Sequence, residues 1–208
     1  MSSSFRPGGL DLTQRLLDLA GAAPGSALLD LGCGAGESLA FLQTRYICTG
    51  LEPDPHRRRA AQAANPTIPV VDGRAEQLPF PDHSFQLVLA ECVLSLTQPL
   101  SAALAEIRRV LVPGGLLLLS DVYARKQPKL VNHGMLGQLL SLPQWEEALT
   151  QEGFRIRSQE EANRSLTQML CQLILDLGPA EAYAQLGLDG CGLRQAGAGY
   201  ILMIGESL

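Results

Sequence analysis

A turn with three glycines at alternate positions is the part of this sequence with the clearest chemical meaning. It follows the apolar run Leu28-Leu29-Asp30-Leu31 and contains Gly32, Gly34 and Gly36, so the pattern is D-x-G-x-G-x-G. Glycine adopts positive φ and lets a ligand lie against the backbone, because it has no Cβ atom. The first N–H groups of a following helix are free to bind a ligand. The pattern therefore predicts a cofactor site at the edge of a sheet.

The spacing of the glycines separates two classes of cofactor. The fingerprint of dinucleotide-binding proteins is G-x-G-x-x-G, whereas here the third glycine, Gly36, comes one residue earlier. The middle of the chain also has no Tyr-x-x-x-Lys pair. A nicotinamide-dependent reductase of the same fold is therefore disfavoured. On this motif alone, a tight strand-to-helix connection without a ligand stays open.

Alternating strand and helix patterns must position this turn. Apolar runs predict strands over 26–31, 46–51, 67–71, 84–90 and 115–122, with helices over 36–44, 54–64 and 98–111 between them. The flanking segments predict a leading helix over 10–19, a helix over 143–152, a short strand over 154–157, one or two helices over 163–187, and a last strand over 197–204 at the end of the sheet. The fold class is predicted to be α/β: a doubly wound, Rossmann-like sheet, mostly parallel with an antiparallel last strand, and helices on both faces.

Four features in order resemble those of one family. The segment 30–36 looks like motif I of the class I S-adenosylmethionine (SAM)-dependent methyltransferases, and Glu52 ends the second predicted strand. The segment 72–85 resembles the G-D-A-E-x-L-P-F and D-x-S-F-D motifs of that family, and 106–117 resembles its R-V-L-x-P-G-G turn. The resemblance covers about residues 26–122. It is to the ubiquinone- and menaquinone-biosynthesis-like, small-molecule group, and it implies SAM as the cofactor.

The predicted contacts to the cofactor begin with motif I and the second strand. Motif I supplies Asp30, Gly32, Cys33, Gly34 and Gly36. Glu52 comes twenty residues after the first glycine, and an acid at this strand end accepts hydrogen bonds from both ribose hydroxyls. The alternative is an acid that only favours the N-terminus of the next helix. Asp54 can cap that helix, which leaves Glu52 for the ligand.

The adenine contact departs from the family pattern. Arg74 stands where the family commonly has an Asp that binds the adenine amino group, and Gln86 likewise replaces an Asp. A guanidinium cannot accept a hydrogen bond, but it can stack on a purine. The resemblance therefore implies contacts from Arg74 and from the Ala75 backbone, with Asp72 as a partial substitute.

Candidate residues for the reacting side follow strands four and five. Ligands of this fold bind outside the carboxyl ends of strands, which places Ala90, Glu91 and Cys92 near the sulfonium and the acceptor. Glu91, Tyr123 and His133 are the candidate catalytic residues, since they can stabilise charge, donate or take a proton. For each of the three, a solvated or packing side chain is the alternative. Cys92 could bind a soft acceptor such as a metalloid, although a small core residue is favoured.

Composition limits the class of protein. The length of 208 residues favours one domain. The five cysteines have no CxxC spacing and give no sign of a metal site or disulfide framework, and the net charge of −5 gives no sign of a nucleic-acid surface. No apolar run approaches the ~20 residues that span a bilayer, and the N-terminus lacks a signal-peptide pattern. We expect a cytoplasmic protein without membrane partners, a monomer or homodimer, with a SAM-binding core over 1–122 and a substrate-covering part over 123–208.

The predicted function is a SAM-dependent methyltransferase that moves the sulfonium methyl group to an O, N, S or C atom of a small-molecule acceptor. The alternative is a non-catalytic SAM-binding or partner-binding protein that keeps the fold. The departures at Arg74 and Gln86 favour that alternative. So does the apolar segment 165–177, which predicts either a helix buried over the sheet or a dimer face.

Overall fold

Seven strands form one mixed sheet within the residues that the structure describes. The computed structural model describes residues 6–126, 139–185 and 197–208. The strands are β1 (Ala27–Leu31), β2 (Ile47–Leu51), β3 (Val70–Val71), β4 (Phe85–Glu91), β5 (Leu111–Ala124), β6 (Phe154–Glu161) and β7 (Ala198–Ser207). Their spatial order is β3-β2-β1-β4-β5-β7-β6, and β7 is antiparallel to both of its neighbours.

Helices cover both faces of this sheet. They are α1 (Gly9–Ala20), α2 (Glu37–Leu42), α3 (Pro55–Ala64), a 3₁₀ turn (Leu94–Leu96), α4 (Leu100–Val110), α5 (Leu142–Gln151), α6 (Asn163–Leu177) and α7 (Pro179–Gln185). Buried residues of α1, α2, α3, α6 and α7 pack on one face. The 3₁₀ turn, α4 and α5 pack on the other. Each face of the sheet therefore has its own apolar layer.

The chain reverses its winding direction at β1. Strand β2 pairs in parallel with one edge of β1, and β4 pairs in parallel with the other. Right-handed crossovers then place α2 and α3 on one face and α4 on the opposite face. The carboxyl ends of β1, β2 and β4 meet at one edge of the sheet, which brings Asp30, Glu52 and Glu91 to the same region. Open α/β sheets bind their ligands at such a switch point.

The predicted fold class is confirmed, and the predicted helices over 10–19, 54–64 and 98–111 lie within two residues of α1, α3 and α4. Asp54 caps α3 as expected, because its Oδ1 accepts hydrogen bonds from the N–H groups of His56 and Arg57. The proposed division at residue 122 is not tested by this arrangement and stays a prediction.

The position of the last strand was predicted wrongly. Strand β7 lies between β5 and β6 and is not at the end of the sheet. Its residues 199–205 are buried, whereas β6 alternates between exposed and half-buried residues after the buried Phe154 and runs four residues further than predicted. A continuously apolar strand needs neighbours and cover on all sides, while an alternating polar strand tolerates an edge. Strand β3 is also shorter than predicted, because Pro69 has no N–H to donate and takes part only by accepting from the Gly50 N–H.

Gln86 has a structural role far from the ligand edge. It lies at the amino end of β4, and its Oε1 accepts a hydrogen bond from the N–H of Ala27 at 2.8 Å. Ala27 is the first residue of β1, so the contact ties together the starts of two central strands. The departure from the family pattern at Gln86 therefore lies at the opposite end of β4 from the carboxyl edge of the sheet.

The part of the chain after β5 covers the sheet with α5 and α6. Trp145 of α5 is fully buried, and its Nε1 donates a hydrogen bond to the Val122 carbonyl at 3.2 Å. Helix α6 buries Leu166 and Leu173 against the sheet but leaves Leu175 79% exposed, so it has both a packed and an open side. None of the helices in the described ranges is long and apolar enough to cross a bilayer.

Candidate cofactor site at the carboxyl edge of the sheet

The glycine turn is anchored to the end of β2. The N–H groups of Gly32 and Cys33 both donate to the carbonyl of Leu51, at 2.8 and 3.0 Å. Gly34 has a φ of +56°, and a Cβ atom built there would meet no heavy atom of the described residues within 4 Å. A Cβ atom on Gly32 would approach Val93 Cγ2 to 2.6 Å. The backbone at Gly34 is thus open for a ligand, while Gly32 permits close packing of the loop after β4.

Glu52 is held in place by the same turn. The side chain is buried, Oε2 accepts from the Gly34 N–H at 2.8 Å, and Oε1 accepts from the Asp54 N–H at 2.9 Å. A carboxylate has about four acceptor positions, so each oxygen keeps one for a ligand. The two fixed oxygens side by side suit the two hydroxyls of a ribose.

Asp30 is a buried acid with an open acceptor. Its Oδ2 is inaccessible to solvent and has no hydrogen-bond partner among the residues described. Burial and the neighbouring Glu91 raise the pKa of Asp30 to about 8, although the nearby Arg6 opposes that shift. A buried acceptor without a partner is costly, so this oxygen indicates a donor that a ligand supplies.

The residues predicted to contact adenine are split by the structure. Ala75 is buried, whereas the Arg74 side chain is 76% exposed and its Nε lies 3.8 Å from Glu76. Asp72 instead pairs with Arg58 at 2.9 Å, and the same Arg58 nitrogen donates to the Glu52 carbonyl at 2.8 Å. The Arg74 side chain therefore lies mostly in solvent, and its contact with adenine stays a prediction.

Two other predicted contacts point their side chains away from the edge. Ala90 lies fully buried in the layer under α4, and Cys33 packs in the opposite layer. A Cβ atom on Gly50 would approach Cys33 Sγ to 2.8 Å, which shows that the thiol fills the space over β2. Burial raises the pKa of this thiol. The cofactor contacts of Ala90 and Cys33 therefore stay predictions, since their side chains pack in the apolar layers.

Glu91 belongs to a buried polar cluster that sequence reasoning missed. Its carboxylate accepts hydrogen bonds from Arg6 Nη1, from Thr13 Oγ1 at 3.0 and 3.2 Å, and from Ser38 Oγ at 3.3 Å. Arg6 also donates to Ser38. Burial raises the pKa of Glu91, while Arg6, Thr13 and Ser38 oppose that shift. Arg6 and Thr13 come from the segment before the first strand, where the sequence shows no motif.

A second polar group lies beyond Glu91. Cys92 has a positive φ of 56°, a strained conformation for a non-glycine residue. Its Sγ lies 3.0 Å from the Tyr200 hydroxyl, which donates to Ser120 Oγ at 3.0 Å. Asp121 accepts from the Ser95 and Val122 N–H groups, and burial raises its pKa to about 6. Tyr200, Ser120 and Asp121 are polar exceptions within apolar strand patterns, which is the signal that could have drawn attention to them.

Tyr123 lies at the wall of a cavity of about 830 Å³. The cavity is bounded by residues 123–126 at the end of β5, residues 141–144 at the start of α5, and Glu161. The Tyr123 ring is buried, its hydroxyl accepts from Asn163 Nδ2 at 3.4 Å, and burial raises its pKa. His133 lies outside the described residues.

The residues at this edge fit SAM. Glu52 offers two oriented acceptors, the backbone at Gly34 is open, and Asp30 has a buried oxygen that needs a donor. A ribose supplies hydroxyl donors to Glu52, and the α-ammonium group of the amino acid part supplies a donor to Asp30. The sheet order, the switch point and this set of groups define a Rossmann-like fold with a nucleoside-binding edge at its switch point.

Comparison with known proteins agrees with this class. Residues 29–119 match the family model described as "Methyltransferase domain". An uncharacterised methyltransferase, YodH of Bacillus subtilis, is 39% identical over 117 residues, which cover 54% of this chain and 50% of that protein. A malonyl-[acyl-carrier protein] O-methyltransferase of Serratia marcescens is 34% identical over 115 residues, 55% of this chain and 45% of that protein.

The likeness to solved structures extends over nearly the whole chain. A geranyl diphosphate methyltransferase in complex with SAM superposes with a TM-score of 0.77 at 16% identity, and the match covers 95% of this chain and 85% of that one. This similarity concerns the fold. In sequence, the chain spans about half the length of the curated relatives that it matches.

Proposed function

We propose that this protein transfers the sulfonium methyl group of SAM to an O, N, S or C atom of a small-molecule acceptor. The observation that carries the proposal is the contact between the glycine turn and Glu52, with 2.8 Å between the Gly34 nitrogen and Oε2. This contact brings together the glycine turn and Glu52, the two most specific features of the sequence. Together they offer a place for a ribose beside an open backbone. The matching family of residues 29–119 supports the same activity.

In the proposed reaction the protein mainly binds and orients. SAM supplies an already activated methyl group, so a positioned acceptor and the exclusion of water account for much of the acceleration. Glu52 would hold the ribose, Asp30 the ammonium group, and the Ala75 backbone with Arg74 the adenine. Ala90 and Leu119 pair with each other in the sheet and are fully buried.

The cavity beside Tyr123 is the proposed place for part of the acceptor. Arg125 and Lys126 lie on its wall together with Glu161, so acceptors that carry a carboxylate or phosphate are the first to test. Tyr123 would donate to or stack on the acceptor. The roles of Glu91 and His133 in proton transfer stay predictions, as do a cytoplasmic location and a monomeric or homodimeric state.

Calorimetric titration with S-adenosylhomocysteine (SAH), the demethylated product, tests the cofactor site. We expect micromolar binding by the unaltered protein and binding weakened by about 10-fold or more in Glu52→Gln, because a charge-assisted hydrogen bond is worth roughly 1.5–3 kcal/mol. The matched control is Glu147→Gln, an exposed acid on α5 that should bind SAH like the unaltered protein. Equal binding by Glu52→Gln would show that Glu52 does not hold the ribose.

Turnover tests the activity itself. The protein is incubated with methyl-labelled SAM and a panel of carboxylic acids, phenols, thiols and amines, and SAH formation is measured. Acceptor-dependent SAH formation is the expected result. Tight SAH binding without turnover on any acceptor would instead favour a non-catalytic SAM-binding protein, and no binding at all would contradict the cofactor assignment.

A further inference from the structure

An ion pair on α4 faces the loop between β3 and β4 (residues 72–84). Arg109 Nε lies 2.7 Å from Glu106 Oε1, and its Nη2 lies 2.8 Å from Glu106 Oε2. Arg109 holds the pKa of Glu106 below its usual range, and Glu106 raises the pKa of Arg109. Leu104 and Ile107 bury α4 against the sheet, so the core fixes the helix that carries the pair.

The pair provides hydrogen-bond partners for the backbone of this loop. Glu106 Oε2 accepts from the Leu78 N–H at 2.7 Å, and Arg109 Nη2 donates to the Leu78 carbonyl at 3.0 Å. Arg109 Nη1 donates to the Phe80 carbonyl at 2.8 Å. A partly exposed ion pair contributes little to stability on its own, but hydrogen bonds from or to a charged group are roughly twice as strong as neutral ones. The pair therefore fixes the path of the loop backbone.

A second contact joins the same loop to the start of α4. Glu76 Oε1 accepts a hydrogen bond from the Gln98 N–H at 3.2 Å, two residues before α4 begins. Ala75 directly precedes Glu76, and the side chains of Ala75 and Leu78 are buried in the apolar layer to which α4 belongs. The backbone of Ala75, the predicted adenine contact, thus comes directly before two attachments of the loop to one helix.

We propose that Glu106 and Arg109 are positioning residues of the cofactor site, which act through the β3–β4 loop to place the Ala75 backbone against adenine. The inference rests on the proposed function and deepens it. Neither side chain has to touch the cofactor, because the contacts with Leu78 and Phe80 transmit the position of α4 to the loop.

The ribose contact does not depend on this pair. Glu52 is held by the N–H groups of Gly34 and Asp54, which belong to the glycine turn and to the start of α3. A change in the pair should therefore weaken binding of the base and spare binding of the ribose. This selectivity separates a positioning role from a general loss of stability, which would affect every part of the ligand.

The test compares SAH with S-ribosylhomocysteine, which keeps the ribose and the amino acid part of SAH but lacks adenine. In Arg109→Met we expect SAH affinity, measured by calorimetry, to fall by about 3- to 10-fold, the equivalent of one hydrogen bond, and S-ribosylhomocysteine affinity to stay unchanged. The matched control is Arg108→Met, since Arg108 is the exposed neighbour on α4 and its loss should leave both affinities unchanged. Equal losses for both ligands, or no loss for SAH, would overturn the positioning role.

Glu106→Gln gives a second test that keeps the size of the side chain, and it carries the comparison by itself if Arg109→Met does not fold. The amide presents a donor to the Arg109 guanidinium in place of one oxygen, so SAH affinity should fall by about 2- to 5-fold, again without a loss for S-ribosylhomocysteine. The double variant should lose little more than Arg109→Met alone, because both side chains act through one loop. Losses that add in full would contradict a shared role.

The outcomes separate this inference from the proposed function. If the unaltered protein binds no SAH, the proposed function and the role of the pair both fail. If it binds SAH no more tightly than S-ribosylhomocysteine, the loop does not hold adenine, and the role of the pair is overturned while the ribose site stands. If SAH binds more tightly and Arg109→Met binds it equally well, only the positioning role is overturned.

Discussion

The protonation state of Asp30 links the charge of the free protein to ligand binding. Its pKa of about 8 lies well above the ~3.9 of an unfolded chain, because burial and Glu91 disfavour the ionised form. The folded state therefore holds a proton that the unfolded state has released, and Asp30 lowers the stability of the free protein as pH rises from about 4 to 8. A bound ammonium group reverses this preference, since it favours the carboxylate.

Proton release on ligand binding follows from this shift. At pH 7 we expect SAH binding to release up to about one proton per site, and SAH affinity to rise between pH 6 and pH 8. The measurement is calorimetry in buffers of different ionisation enthalpy. Asp30→Asn should abolish most of the release, whereas Asp82→Asn, before β4 at the opposite edge of the sheet, should leave it unchanged. A release that is the same in Asp30→Asn would assign the titrating group elsewhere.

At the scale of elements, α5 is joined to the end of β5 by one buried hydrogen bond. The Trp145 indole lies in the apolar layer with Leu149 and Phe154, and its N–H meets the Val122 carbonyl. In the sequence, Trp145 stands in an apolar helix frame with Leu142 and Leu149, which favours core packing. The hydrogen bond explains in addition why an aromatic residue with an N–H group suits this place.

Trp145→Phe tests that contact. We expect a loss of about 1–3 kcal/mol in unfolding free energy, because the change removes a buried donor and leaves the Val122 carbonyl without it. Urea unfolding is followed by circular dichroism, since Trp145 is the single tryptophan of the chain. SAH affinity should stay unchanged. The control Phe41→Leu, at a partly exposed position on α2, should lower the unfolding free energy by no more than about 0.5 kcal/mol. An equally small loss in Trp145→Phe would mean that the hydrogen bond contributes little.

At the scale of the whole molecule, the chain closes its sheet by inserting its last strand between two earlier ones. Strand β7 bonds to β5 along nine residue pairs, from Leu116 with Glu206 to Ala124 with Ala198, and to β6 on its other side. The C-terminal strand therefore joins the ligand-binding half of the sheet to its polar edge strand. Both ladders depend on β7, so this half of the sheet is held together by pairings between residues far apart in sequence.

Hydrogen exchange distinguishes the two strands. We expect amides of residues 200–204 to exchange only through nearly global unfolding, since they are buried with strand neighbours on both sides. Amides on the outer edge of β6 should exchange much faster, because that edge faces solvent. Mass spectrometry of peptides that cover 200–204 and 154–161 checks this order. Equally fast exchange in both would contradict the central position of β7.

The sequence alone determined the fold class and the cofactor, because these depend on local patterns, whereas its contacts to the cofactor stay predictions. One turn is indicated by the spacing of Gly32, Gly34 and Gly36, and one strand end by the acid at Glu52. Continuous apolar runs indicate strands that are covered on both faces. The departure at Gln86 looked like a lost function in the sequence. In the fold it is a contact with Ala27 between two strand starts.

Only the tertiary structure decided which distant residues meet. Arg6 and Glu91 are 85 positions apart, and Tyr200 and Ser120 are 80 apart, so no local pattern connects them. The same holds for the place of β7, which depends on competition among strands for neighbours. Such pairs form because the apolar side chains must all be buried and the buried polar groups must all have hydrogen-bond partners in the same structure. Only the packed molecule as a whole meets both conditions.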